Sequence, residues 1–235
     1  YYRNVINPST GYAQGRYADG SFLTDAGNAF SFTRFITEGA PCHYTWYAPH
    51  DIYGLMECMG GKEKYIAKLD SMFSEHRYWH GNEPCHQIAY LFNYAGQPWK
   101  TQREVRHIME TEYLNAPGGL SGNDDAGQMS AWYVFSAMGF YPVCPGTPYY
   151  IIGSPSFPRM SIRLENGKTF TILAHNANKK NIYIQSAKLN GKEYDKNYFT
   201  HQDIIQGGTL EFQMGPNPNT NWGASALSLP PDNMK

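Results

Sequence analysis

GGLSGNDDAGQMSAWYVFSAMGFYPVCP, residues 118–145, is where the texture of the chain turns over. It opens as a Gly-rich polar loop. From Gly127 to Gly139 it becomes apolar nearly all round, with Met129, Ala131, Trp132, Val134, Phe135, Ala137 and Met138, the pattern of a helix in a protein interior. It closes on Pro142 and Pro145. Upstream, helical spacing dominates. Asp51–Met59 carries Ile52, Leu55, Met56 and Met59 on one face, and Lys62–Ser74 carries Tyr65, Ile66, Leu69, Met72 and Phe73. Gly60-Gly61 between them reads as a helix stop. Cys85–Ala95 and Thr101–Leu114 are two further predicted helices, parted by Gly96-Gln97-Pro98. Residues 1–36 read as loop, with a short helix at Asn28–Phe35. Downstream the period becomes two. Tyr149–Ile152, Met160–Leu164, Phe170–Ala174, Ile182–Leu189 and Thr209–Met214 read as strands, with hairpin signals at Asn166-Gly167 and Asn190-Gly191. The reading is α+β: a helical array over 1–144, then a small antiparallel β domain over 145–235. Pro216–Lys235 is Pro/Asn-rich and expected to wrap the surface or end in disorder.

Composition narrows the function. Lys+Arg is 19 and Asp+Glu 20, for a net charge of −1, and charged residues are 17%. That balance excludes a strong electrostatic footprint for nucleic acid or an acidic membrane. No run approaches the ~18 apolar residues of a membrane-spanning helix. The chain begins at Tyr1, not Met, and reads as a processed product or a piece of something longer. Cys42, Cys58, Cys85 and Cys144 form no CxxC pair. Their even number admits a disulfide, but buried free thiols suit this density better. Aromatic residues are 15%, which suits sugar-stacking surfaces or simply a large core.

Three polar loops interrupt the apolar helical region. Loop one is Thr37–Trp46, loop two His80–Gln87 and loop three Gly118–Ser130. Loops two and three precede predicted helices, so helix capping accounts for Glu83, Asp124 and Asp125 as readily as chemistry does. Taken together, the loops offer more. Glycoside hydrolysis needs one carboxylic acid to protonate the leaving oxygen and a second carboxylate to activate water or attack the sugar. Loops one and three can supply these. Asn82-Glu83, with an Asp of loop three, offers hard oxygens suited to calcium.

These loops resemble glycoside hydrolase family 92, the calcium-dependent inverting exo-α-mannosidases, in its C-terminal part. Gly81-Asn82-Glu83-Pro84-x-His86 matches a family loop. Ile88–Thr101 (IAYLFNYAGQPWKT) and the 118–145 stretch match it further. Glu38-Gly39 followed by Tyr44-Thr45-Trp46, with His50-Asp51, matches more weakly, as do Gly153–Pro155 and Leu189–Gly191. The resemblance implies the second half of an (α/α)₆ toroid with a C-terminal β segment, and an N-terminal β-sandwich domain in the full-length protein with the active site at its interface with the toroid. It implies Glu38 as general acid, Asp125 as general base with Asp124 beside it, and Asn82 and Glu83 on calcium. Trp79, His86 and His43 would contact substrate, with His86 also supporting the calcium loop. Inversion would place the acid and base carboxyls about 6.5–9.5 Å apart, and Glu38 would need burial or a negative neighbour to stay protonated near neutral pH. The implied substrate is an α-mannoside, α-1,2-linked and of N-glycan type. The implied location is periplasmic or extracellular, and the chain alone would turn over little. A non-catalytic carbohydrate-binding or structural fragment is the competing reading.

The chain departs from the family pattern at Ala40 and His43, where relatives often carry Asn and Gln. It departs again at Cys42, often Trp, and at Asn123, often Asp. These changes are expected to alter substrate contacts. Of the other tryptophans, Trp46 could line a subsite, while Trp99 and Trp132 read as packing.

Overall fold

The computed structural model describes residues 1–24 and 27–233, which divide into two compact units. The first takes Tyr1–Ile88 together with Asp232–Lys235; the second is Ala89–Pro231. Residue 145, where the sequence period changes, lies inside the second unit.

In the first unit two short strands, β1 (Ile6–Asn7) and β2 (Tyr12–Ala13), pair antiparallel. Three helices follow: α1 (Pro41–Tyr44), α2 (Ile52–Cys58) and α3 (Lys62–Ser74). The helices α2 and α3 are the two that periodicity predicts. Asp51 caps α2, its Oδ1 accepting the Gly54 N–H at 2.9 Å. The Gly60 N–H then donates to Glu57 and the Gly61 N–H to Met56, closing the helix as Gly-Gly predicts. Trp46 packs edge-on against Tyr65 and is fully buried, so it belongs to the core. Asn28–Phe35 forms turns and bends, not the predicted helix; Asn28 Oδ1 accepts the Phe30 N–H in an Asx turn instead.

The second unit holds α4 (Pro98–Thr111), α5 (Gln128–Met138), α6 (His201–Ile205) and strands β3 (Phe140–Tyr141) to β10 (Gly208–Gly215). Cys85–Ala95 is not one α-helix. It is built of 3₁₀ turns over Glu83–Cys85 and Ile88–Asn93. Pro98 opens α4 as its first residue, three positions before the predicted start. A three-stranded antiparallel sheet runs β3–β4 (Tyr149–Ile152)–β9 (Tyr198–Thr200). A five-stranded sheet runs β5 (Arg159–Arg163)–β6 (Thr169–His175)–β10–β7 (Tyr183–Leu189)–β8 (Lys192–Glu193). Its β6–β10 pair is parallel, so the sheet is mixed where an antiparallel one was expected. Asn190 and Gly191 both take positive φ between β7 and β8, as an Asn-Gly hairpin turn requires. Phe170, Ile172, Ile184, Phe199, Leu210, Phe212 and Trp222 fill the core of this unit.

α5 buries only one side. Met129, Trp132, Ser136 and Ala137 are buried, whereas Tyr133 and Val134 are exposed, which corrects the expectation of a helix buried all round. It ends on Gly139, whose φ is +96 and whose N–H donates to Phe135 and Ser136. A Cβ there would lie 2.9 Å from atoms of Pro155. Gly139→Ala should therefore cost about 2 kcal/mol, from left-handed strain and the crowded proline. The check is a lower urea midpoint at unchanged slope; an unchanged midpoint would contradict it.

Candidate active site

Loops one and two meet within the first unit. α1 packs on β2 and on the Glu83–Cys85 turn. Loop one enters α1 through an extended Ala40, which has no side chain to cap the helix. His43, at the third helical position, does this work from within: its Nδ1 accepts the Ala40 N–H at 3.1 Å. Its Nε2 then donates to the Arg77 carbonyl at 2.9 Å. Burial pulls its pKa down, consistent with a neutral ring in this tautomer. Both ring nitrogens are engaged with backbone, so His43 builds the loop and has no nitrogen left for a sugar. The paired departures at Ala40 and His43 thus have a common structural reason.

Glu38 lies just before α1 with an exposed side chain and φ of +65. Among the described residues few non-glycines adopt positive φ, and a glutamate is uncommon in that set. Its carbonyl accepts from Asn82 Nδ2 at 2.7 Å, which ties loop two to loop one. The preceding carbonyl, of Thr37, accepts from the Tyr44 hydroxyl at 2.6 Å. Burial, then the charges of Glu38 and, more weakly, Glu83, push the Tyr44 phenol up, while the neighbouring Asn82 side chain opposes them. Tyr44, Glu38, Asn82 and Glu83 are therefore one electrostatic cluster.

Asn82 Oδ1 accepts the Glu83 N–H at 3.1 Å and keeps a second lone pair. Glu83 is half-buried beside it. Among the described residues no group of three or more His, Cys, Asp or Glu is placed to hold a metal. Asn82 and Glu83 are hard-oxygen donors that fit calcium as part of a set of about six to eight, the rest being carbonyls, water and sugar hydroxyls.

His86 is 1% exposed and its Nε2 donates to the His80 carbonyl at 3.0 Å. Its ring lies 4.8 Å from that of His80. It supports loop two from behind, which fits the supporting role and not the substrate contact. His80 is itself buried, and desolvation, with His86 beside it, pulls its pKa to about 3. Trp79 stays at the surface, 36% exposed, next to Phe32 and His43. Asp51, of the His50-Asp51 match, is spent on structure: besides capping α2 it accepts from Tyr2 at 2.7 Å and Arg3 at 3.2 Å. All four cysteines are free thiols.

Loop three belongs to the second unit, and there the structure sorts two adjacent aspartates. Asp124 Oδ1 accepts the Ser130 N–H at 3.0 Å and its hydroxyl at 2.8 Å, so Asp124 caps α5. Asp125 is exposed with φ of +48, followed by Ala126 and Gly127 at +56 and +99. Three successive left-handed residues make a sharp turn that leaves the Asp125 side chain out of the capping. Trp132, fully buried and stacked on Tyr113, is core. Trp99 is half-buried beneath Lys100 and Arg103.

The chain belongs to glycosyl hydrolase family 92: the model of that family's catalytic domain matches residues 1–216. Two solved structures from Bacteroides thetaiotaomicron are similar to it. One is a family α-mannosidase, 43% identical with a TM-score of 0.92, covering 98% of this chain and 31% of that one. The other, from strain VPI-5482, is an inverting mannosidase of the family, 40% identical with a TM-score of 0.93, covering 100% and 35%. A curated relative from Arthroderma benhamiae (strain ATCC MYA-4681 / CBS 112371), described as an uncharacterized secreted glycosidase, is 36% identical over 189 residues, 79% of this chain and 24% of its own length. The chain thus spans about a quarter to a third of the proteins it matches.

Proposed function

We propose that the chain supplies the acid, base and metal loops of an exo-α-mannosidase that releases mannose from α-mannosides with inversion. The observation that carries this reading is Glu38: an exposed carboxylate on a left-handed peptide, anchored on both sides and tied to Asn82-Glu83. Such strain in an over-determined loop marks functional positions. In this reading Glu38 gives its proton to the glycosidic oxygen. Asp125 takes a proton from the water that attacks the anomeric carbon. Asp124 fixes the base loop to α5, and Trp79 offers a ring face to the sugar.

Asn82 and Glu83 would hold calcium. When bound, the ion would steady vicinal sugar hydroxyls and favour a flattened ring. Glu38 is exposed here, so an N-terminal β-sandwich domain would add the burial its acid role calls for and complete the site. The α-1,2-linked N-glycan substrate belongs to the same proposal. So does a periplasmic or extracellular site of action, which the secreted fungal relative supports. Among the described residues no helix is long and apolar enough to cross a membrane.

The test is mannose release by the full-length protein that contains this chain. A chelator should lower it more than a hundredfold, and calcium should restore it where magnesium does not. Turnover that ignores the chelator would remove calcium from the mechanism. An inert protein at saturating calcium would remove the mannosidase reading itself.

A further inference from the structure

The reading above asks the Glu38 carboxyl to be aimed, and a glutamate in left-handed backbone does not hold that shape unaided. Left-handed φ costs a β-carbon residue roughly 1–2 kcal/mol, so something must fix the peptides on both sides. Three side-chain hydrogen bonds run through loop one. The Tyr44 hydroxyl donates to the Thr37 carbonyl at 2.6 Å. Asn82 Nδ2 donates to the Glu38 carbonyl at 2.7 Å. His43 Nδ1 accepts from the Ala40 N–H at 3.1 Å. Gly39, between them, is buried so closely that a Cβ would stand 2.8 Å from Tyr44 Cε2. His43 acts on α1's first turn, and Asn82 is shared with the metal loop. Tyr44 alone acts on the acid's own flank with no other assigned task.

We infer that Tyr44 is a positioning residue for the acid, its hydroxyl holding the Thr37–Glu38 segment in the left-handed conformation that aims the Glu38 carboxyl at the leaving oxygen. The inference rests on Glu38 being the acid. Tyr44 itself transfers no proton; it acts through the backbone before Glu38. Phenol loss lets the strained peptide relax and the carboxyl swing away, while Asn82, Glu83 and Trp79 keep their places.

The signature is a dependence on the leaving group. A sugar or alkyl leaving group needs protonation and feels a misaimed acid; dinitrophenolate leaves unprotonated and does not. The experiment compares methyl α-mannoside or an α-mannobiose with 2,4-dinitrophenyl α-mannoside, using the full-length protein that contains this chain. Tyr44→Phe should lower kcat about 10- to 100-fold on the alkyl or sugar substrate with KM little changed, and leave dinitrophenyl mannoside within about threefold. Gly39→Ala, which pushes the Tyr44 ring from the other side, should show the same split, and it carries the test should Tyr44→Phe fold poorly. Equal losses on both substrates would mean a general structural role and overturn the inference. So would a wild-type kcat on the sugar substrate in a folded Tyr44→Phe protein whose Glu38→Gln counterpart is inactive. Full activity of Glu38→Gln would instead overturn the acid assignment, which separates the two failures.

Discussion

Glu38→Gln should lower kcat/KM for an unactivated α-mannoside about a thousandfold, close to 4 kcal/mol of lost transition-state stabilisation. Glutamine keeps the shape of the side chain but has no proton to give. The oxygen of an alkyl or sugar leaving group would then depart as an alkoxide, which is the step general acid catalysis exists to avoid. The loss should sit in kcat, because Glu38 reaches out from the loop and the groups proposed to grip the sugar lie on other residues. Stability should be unaffected. Glu38 is exposed, and it is anchored through its carbonyl, which the substitution leaves in place. On dinitrophenyl α-mannoside the same variant should keep most of its rate. A thousandfold loss on both substrates would assign Glu38 some task other than proton donation, and no loss on either would end its candidacy.

The regular elements were legible where one face of the element is buried and the other wet. α3 has its predicted bounds because Tyr65, Leu69 and Met72 are buried while Glu63, Lys64 and Lys68 are not, a clean period of 3.6. β5 is legible for the same reason at period two, Met160 and Ile162 pointing inward from an otherwise exposed strand. Residues 88–92 gave no such contrast. Every one of them is fully buried, so periodicity carries no information there. Buried side chains set the backbone instead, among them Gln87, whose amide donates to the Pro84 carbonyl, and Asn93. The parallel β6–β10 pair was equally silent, since alternation says which face a residue takes but not which way its neighbour runs. β1, β2, β3 and β8 are two residues each, too short to show a period at all.

The site was legible in its residue types and not in its contacts. Loops rich in Glu, Asp, Asn and Gly announced themselves, and two of the three do converge. The hydrogen bonds of His43, His86 and Tyr44 go to the carbonyls of Arg77, His80 and Thr37. Backbone acceptors carry no signature in the sequence, so a histidine that caps a loop looks the same as one that binds a sugar. Asp124 and Asp125 are likewise identical as letters. Only the turn after them, left-handed for three residues, decides that the first caps α5 and the second stays out.

The largest effect expected on stability comes from a buried pair that no motif foretold. Asn93 and Asn197, both fully buried, donate to each other's carbonyls at 2.9 and 3.0 Å. Asn93 Nδ2 also reaches the Ile152 carbonyl at 2.9 Å, and Asn197 Nδ2 the Gly223 carbonyl at 2.7 Å. The clasp joins the 3₁₀ stretch, β4, the segment before β9 and the C-terminal tail in one place. Asn197→Ala would strip the donors from two buried carbonyls at about 1–3 kcal/mol apiece and leave a void besides. A loss of about 3–4 kcal/mol is expected, read as a lower urea midpoint. Amide exchange should speed up first at Ile152 and Gly223, whose segments the clasp holds. Asn93→Ala should cost a similar amount, and the double variant less than the sum, since each single change removes one of the two mutual bonds and frees the segments that hold the other in place. Strict additivity would mean that the two amides act independently, and the C-terminal tail would then owe its place to Trp222, whose Nε1 donates to the Tyr194 carbonyl at 3.1 Å, and not to the asparagines.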